Sequence, residues 1–247
     1  MSDGSEPKHV SADAVGREGF RYYDFVMAAF VAILLLSNII GASKRAEIDL
    51  PLIGPWPFGA GVLFFPLSYI IGDMLTEVYG YARARRVIWT GFAALAFMAL
   101  MAAVVVALPP SPTWPNQPAY EAVFGNSWRI VLASMTAFWV GEFANSLVLA
   151  KMKLATQGRG MGWRFVASTV VGQALDSLIF YPLAFYGLDG WPTGELFKTV
   201  MSQWALKAGW EILLLPVTVA IVLAMKRREG VDVFDDVTDF TPFSAKV

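Results

Sequence analysis

The stretch PLSYIIGDMLTEVYG, residues 66–80, sets two carboxylates, Asp73 and Glu77, one helical turn apart on a segment apolar enough to enter a bilayer. A charge at mid-helix in hydrocarbon costs about 2.5–3.5 kcal/mol even on the mildest insertion scale, so these acids need partners inside the protein. Composition supports a membrane setting. The 247 residues are 56% hydrophobic and 16% charged, whereas a soluble domain is about 25% charged. A hydrocarbon core of about 30 Å requires roughly 20 apolar residues per helical span. Six segments meet that length: Asp24 to Ser43, Phe58 to Tyr79, Arg86 to Leu108, Trp128 to Ala150, Phe165 to Gly187 and Thr199 to Met225. The expected fold class is an all-α integral membrane protein with six transmembrane helices in one domain, residues 24–225. A polar N-terminal tail, 1–23, and an acidic C-terminal tail, 226–247, flank it, the latter expected to be mobile.

Charges beside the spans give orientation through the positive-inside bias. Lys8, Arg17 and Arg21 precede the first span; Arg83, Arg85 and Arg86 join spans two and three; Lys151, Lys153, Arg159 and Arg164 join four and five; Lys226, Arg227 and Arg228 follow six. All fall on one side, so both termini are expected in the cytoplasm. Lys44 and Arg45 break the pattern, which suggests that protein holds them. The loop containing them, KRAEIDLPLIGPWPFGAG, reads as a small hairpin or re-entrant turn because Pro and Gly punctuate two short apolar runs. The proline-rich loop LPPSPTWPNQPAYEAVFGNSW reads as an ordered interfacial cap, with Trp114 and Trp128 at headgroup level.

Polar residues recur inside the other spans at helical spacing. Phe138, Glu142, Asn145 and Leu149 share a stripe on span four; Thr169, Gln173, Asp176 and Phe180 on span five; Gln203, Lys207 and Glu211 on span six. Span one adds Ser37, Asn38 and Gly41, leading to Lys44. Span three carries only Thr90 and is expected to face lipid or another copy. Since lipid cannot satisfy such groups, five spans are expected to turn them into a shared polar interior. Other readings stay open for several of them. Asp73 and Glu77 could pair with Arg83, Arg85 or Arg86 as orientation glue, Lys207 could neutralise Glu211 at i+4, and Asn38 and Asn145 could be interhelical hydrogen-bond glue. Asp176 lies midway along its span with no base within a turn, which favours a ligand or proton role.

Several function classes are poorly supported. There is no Cys, and the single histidine, His9, lies in the polar N-terminal tail, so no thiolate site or histidine base is available. No GxSxG elbow, HExxH helix, phosphate-binding lysine loop or GxGxxG is present, so no enzyme is expected and no cofactor or metal is called for. The net charge of −1 with basic residues confined to loop ends argues against nucleic acid.

Three blocks carry a resemblance: FPLSYIIGDMLTEVYGYARARR at 65–86, GEFANSLVLAKMK at 141–153 and RFVASTVVGQALDSLIFYPLAFYG at 164–187. Together they resemble the queuosine precursor transporter family, six-helix bacterial membrane proteins also grouped with vitamin uptake transporters. The resemblance implies uptake of 7-cyano-7-deazaguanine and its aminomethyl counterpart across the bacterial inner membrane. It also implies an architecture similar to the substrate-binding subunits of energy-coupling-factor transporters, here working without an ATPase. A carboxylate can accept the N1–H and exocyclic amine of a guanine-like edge, and an Asn, Gln or Lys can donate to its carbonyl.

On that basis Glu142, Asn145, Gln173 and Asp176 are expected to form the recognition core, with Asp73 and Lys207 nearby and Phe180, Tyr181 or Trp204 as aromatic faces. Glu77, Asn38, Lys44 and Glu211 are expected to be gating or structural. The expected mechanism is alternating access by a secondary or facilitative carrier. Competing readings are a substrate-capture subunit for a vitamin-like molecule that needs an ATPase partner, and a carboxylate-lined proton or ion channel. Small-residue pairs such as Ala28 with Ala32 and Ala99 with Ala103 offer a surface for helix docking or a homodimer.

Overall fold

The computed structural model describes residues 8–11, 20–41, 44–50, 54–125, 128–188, 192–244 and 246; Arg17 and the hairpin tip lie outside the described residues. Seven helices run in chain order: α1 (Tyr23–Leu36), α2 (Phe65–Tyr79), α3 (Tyr81–Ala107), α4 (Gln117–Phe124), α5 (Trp128–Ala155), α6 (Met161–Phe185) and α7 (Thr193–Glu229). Two strand pairs accompany them. β2 (Arg45–Leu50) and β3 (Gly54–Gly59) form an antiparallel hairpin, as the Pro and Gly punctuation suggested, and β1 (Lys8–Ser11) pairs in parallel with β4 (Val231–Phe234). Among the described residues, five stretches are long and apolar enough to cross a membrane.

The second expected span is the exception. Its helix, α2, has 15 residues, roughly 22 Å at the helical rise, which is shorter than the hydrocarbon core. The preceding part of the segment is spent on β3 and a 3₁₀ turn, Ala60–Leu63. Pro55 and Pro57 lack the N–H that a helix would need there, and Gly54 takes a left-handed φ of 84°. What α2 lacks in length it makes up in burial. Asp73, Met74, Leu75, Thr76, Glu77, Val78 and Tyr79 are all buried, and α1, α3, α5 and α7 pack around them.

α5 and α6 cross so closely that only glycine fits. A Cβ on Gly172 would lie 2.8 Å from the Asn145 Cβ, and one on Gly141 would lie 3.2 Å from the Gly172 carbonyl oxygen. This small-residue crossing brings the polar stripes of the two helices together, as close backbone approach does in membrane bundles.

The start of α1, the α2–α3 junction, the α5–α6 junction and the end of α7 meet at one end of the bundle, called here the terminal end. Glu77 is fully buried there, with Arg164 Nη2 and Lys226 Nζ each 2.7 Å from its Oε1 and Lys153 Nζ at 3.8 Å. Asp232 of β4 completes the cluster, 2.5 Å from Lys153 Nζ and 2.8 Å from Lys226 Nζ. The glue reading of Glu77 therefore fits the structure, with partners from α5, α6 and α7 in place of Arg83, Arg85 and Arg86.

The segment expected as a free C-terminal tail is instead packed against the bundle. α7 ends at Gly230 in the left-handed conformation (φ 70°), and the chain then turns back under α2 and α3. Asp235 accepts hydrogen bonds from the Tyr81 amide at 3.0 Å. The buried Arg85 guanidinium donates to the carbonyls of Asp239 and Thr241, and the Trp89 indole donates to that of Pro242. Acidity alone suggested a solvated segment; its backbone carbonyls are what Arg85 and Trp89 of α3 take up. Gly80 permits the approach, since a Cβ there would come within 2.9 Å of the Val233 side chain.

Two outcomes follow from this end of the molecule. Removing one member of a buried ion cluster strands the others, at a typical cost of 3–5 kcal/mol. Glu77→Ala is therefore expected to lower the thermal midpoint of detergent-purified protein sharply, while Glu195→Ala, which breaks the exposed Lys198–Glu195 pair, shifts it little. Burial would raise the Asp232 carboxyl, but Lys153 and Lys226 outweigh it and hold the group below its ordinary range. Its contribution is thus complete above the usual Asp value of about 3.9 and is lost as pH falls through the lower folded value. Hydrogen exchange over residues 231–234 should stay slow at neutral pH and accelerate only in that acid window; Asp232→Asn should accelerate it at neutral pH.

Candidate functional site

A cavity of about 930 Å³ occupies the opposite half of the bundle, among α1, α3, α5, α6 and α7. α4 covers part of its mouth, tied back to α3 by Gln117 Nε2 donating to the Val106 carbonyl at 3.0 Å. α4 lies in the proline-rich loop and gives that loop the ordered structure its composition suggested. Lys44 lies at the mouth, exposed; the Arg45 side chain lies outside the described residues. α3 does more than face lipid. Met98, Ala102 and Val106 line the cavity while Phe97, Leu100 and Val104 point outward.

The polar lining comes from five helices. α1 supplies Ser37 and Asn38 from a π-helical turn, Ser37–Gly41, in which both side chains donate to the Leu34 carbonyl, at 2.8 and 2.9 Å. α5 supplies Glu142 and α6 supplies Asp176. α7 supplies Lys207 and Gln203, and Tyr69 of α2 adds a phenol. Asp176 departs from its expected setting: Lys207 Nζ, from α7, sits 2.5 Å from its Oδ2. No base lies within a turn along α6, and the neutralising charge arrives from the neighbouring helix. The Lys207–Glu211 pairing that i+4 spacing allowed is not the contact formed.

Glu142 is the unmatched group. It is buried, makes no ion pair among the described residues, and its Oε2 has no hydrogen-bond partner. Gly72 makes room for it, since a Cβ there would lie 3.0 Å from that oxygen. Three aromatic rings of α6 line the same cavity. Phe180 meets Tyr181 edge-on at 5.0 Å between centroids, and Tyr181 stacks on Phe185 at 6.1 Å.

Other expected site residues lie behind the cavity. Asn145 Nδ2 donates to Asp73 Oδ1 at 2.8 Å, joining α5 to α2. Gln173 Nε2 donates to Glu211 Oε1, and the Thr169 hydroxyl donates to Glu211 Oε2 at 2.7 Å, joining α6 to α7. Trp204 is also absent from the cavity lining; its indole donates to the Val170 carbonyl at 3.1 Å and pins α7 to α6. Glu77 lies in the terminal cluster. The cavity thus gathers Glu142, Asp176, Lys207 and Phe180 with Asn38 and Lys44, and leaves Asn145, Gln173, Asp73, Trp204, Glu211 and Glu77 outside its lining. Chemically it offers one unpartnered acceptor, one lysine donor held by an acid, and aromatic faces. This arrangement suits a flat polar molecule with adjacent N–H groups.

Comparison with known proteins agrees with a transport role. Residues 59–221 match the family described as "Putative vitamin uptake transporter". The chain is also 29% identical over 157 residues, 63% of its length and 68% of the relative's, to a Bacillus subtilis (strain 168) protein named "Probable queuosine precursor transporter". No solved structure matches. The matched residues span α2 to most of α7, which build most of the cavity, and the chain belongs to the vitamin uptake transporter family as a multi-pass membrane transporter rather than an enzyme.

Proposed function

We propose that this protein carries queuosine precursors, 7-cyano-7-deazaguanine or 7-aminomethyl-7-deazaguanine, inward across the bacterial inner membrane. The observation that carries the reading is Glu142, an unpartnered carboxylate at the inner part of a roughly 930 Å³ cavity. A guanine-like edge presents N1–H and an exocyclic amine side by side, the donor pair that a carboxylate accepts with two oxygens. Lys207, reached through Asp176, then donates to the base carbonyl, and the Phe180–Tyr181–Phe185 group supplies a face for the ring. An aminomethyl substituent would bring a cation that Asp176 could share with Lys207. The name of the Bacillus subtilis relative supports this substrate class.

The end carrying both chain termini faces the cytoplasm in this proposal, in keeping with the basic residues gathered there. The cavity then opens to the outside, and the Glu77 cluster with the docked 231–244 segment forms the inner seal. Inward release requires α7 to part from α5 and α6 at that cluster while the Gly141–Gly172 crossing stays closed, a rocking of packed helices around one site. Neither an ATPase partner nor an open pore is needed. The channel reading fits poorly with an inner end closed by buried ion pairs.

Calorimetry on detergent-purified protein tests the substrate, with guanine and a water-soluble vitamin as competitors. Saturable binding preferring the deazapurine is expected, and Glu142→Gln should weaken it about 10- to 100-fold, the loss of hydrogen bonds to a charged group. A vitamin that outcompetes the base would replace the substrate assignment. Uptake by liposomes holding this protein alone separates a carrier, which equilibrates or accumulates base, from a capture subunit, which only binds it.

A further inference from the structure

The two acids behind the cavity share a pattern that substrate recognition does not use. In each, an amide N–H donates to the carboxylate while the amide's own oxygen has no donor. Asn145 Oδ1 and Gln173 Oε1 are both unpartnered, on side chains that are fully buried. Asp73 and Glu211 meet at a second cavity of about 10 Å³, also lined by Thr169 and Thr218, room for about one water. The cations nearby are engaged with other acids: Lys207 bonds Asp176, and Arg164 and Lys226 bond Glu77.

The groups facing this pair are few. Asp73 has Tyr69 and Glu77 on its own helix, Glu142 and Asn145 from α5, Thr169 from α6 and Glu211 from α7. Glu211 has Thr169 and Gln173 from α6, Lys207 on its own helix, and Glu142 within electrostatic reach. The local balance is rich in acceptors and short of hydrogen atoms. A proton on each carboxylate corrects both deficits. Asp73 becomes a carboxyl whose O–H donates to Asn145 Oδ1 while Asn145 Nδ2 still donates back, and Glu211 closes the same two-bond ring with Gln173. A metal ion would need converging ligands, and among the described residues no three acidic or histidine side chains converge as a metal requires.

We infer that Asp73 and Glu211, paired with Asn145 and Gln173, are the proton-binding sites that couple transport to the proton gradient. The inference rests on the carrier reading above. Linkage to the cavity is built into α7, which carries both Glu211 and Lys207. Parting α7 from α6 breaks the Glu211–Gln173 and Lys207–Asp176 contacts together and opens the small cavity that Asp73 shares with Glu211, so both carboxyls gain access to water in the movement that opens the base site. The step is a reversible protonation, proton plus carboxylate giving carboxyl, with no other reactant.

Infrared spectroscopy of the full-length protein in detergent at neutral pH, with exchange into heavy water, tests the sites without any substrate. At least two protonated-carboxyl carbonyl bands are expected. Asp73→Asn should remove one and Glu211→Gln another. Should either variant fail to fold, Asn145→Ala and Gln173→Ala should shift the same bands instead of removing them. Absence of such bands in the unmodified protein, or bands indifferent to these substitutions, overturns the assignment. In liposomes, an inward proton gradient should accelerate uptake of 7-cyano-7-deazaguanine. Vesicles that exchange the base but ignore the gradient overturn the coupling, whereas vesicles that exchange no deazapurine overturn the substrate reading and leave the infrared result standing.

Discussion

Hydrocarbon offers no hydrogen bonds, so each charged group that this chain carries into the bilayer has to be matched by another helix. The bundle meets this constraint in two layers of opposite character. At the terminal end cations prevail, with Lys153, Arg164 and Lys226 closing on Glu77 and Asp232. Nearer the middle acids prevail, with Glu142, Asp73 and Glu211 held only by neutral donors or by none, beside the Asp176–Lys207 pair. In the first layer each cation has a carboxylate partner, and the cluster closes the protein. The second is incompletely matched, and in the proposed reading a substrate or a proton completes it.

Rigidity is distributed to suit that division. The glycine crossing of α5 and α6 leaves no slack, so the amides of Asn145 and Gln173 are carried on one stiff unit. Their acids stand on different helices, α2 and α7. α7 packs on α6 and is also tied to it by polar contacts: Lys207 to Asp176, Trp204 to a backbone carbonyl, and Glu211 to Thr169 and Gln173. Polar contacts of this kind can exchange partners with water, whereas a close-packed glycine interface opens only by losing dispersion contacts outright.

The sequence made the stripes legible, since their spacing alone set Asp73, Glu142, Gln173, Asp176, Lys207 and Glu211 on inward faces. Their pairing was not legible. Asp176 looked unneutralised because its lysine lies 31 residues away in the chain, and Glu77 looked tied to Arg83, Arg85 or Arg86 because those are its neighbours in sequence. Lys153, Arg164 and Lys226 read as headgroup charges by the same orientation logic that counted them, yet all three are buried. Burial of a loop-end cation depends on which carboxylate the fold brings to it, and no local period encodes that. The docked 231–244 segment was hidden for a related reason: its Asp232 and Asp235 carboxylates meet groups distant in the chain, and its other bonds run through backbone carbonyls, which composition does not reveal.

α2 has a consequence for the lipid as well as for the protein. A helix of 15 residues cannot reach across hydrocarbon by itself; the β2–β3 hairpin and a 3₁₀ turn precede it, joined where the Ala60 amide donates to the Lys44 carbonyl at 2.9 Å. Such non-helical backbone is tolerated at membrane depth only where it lines protein or water, here beside the cavity mouth. The hairpin therefore sits where hydrophobic mismatch is felt. In the proposed orientation a thicker bilayer would draw lipid tails up against these strands, and a thinner one would leave them in the headgroups. On that orientation, acyl-chain length joins residue identity in setting how wide the entrance stands.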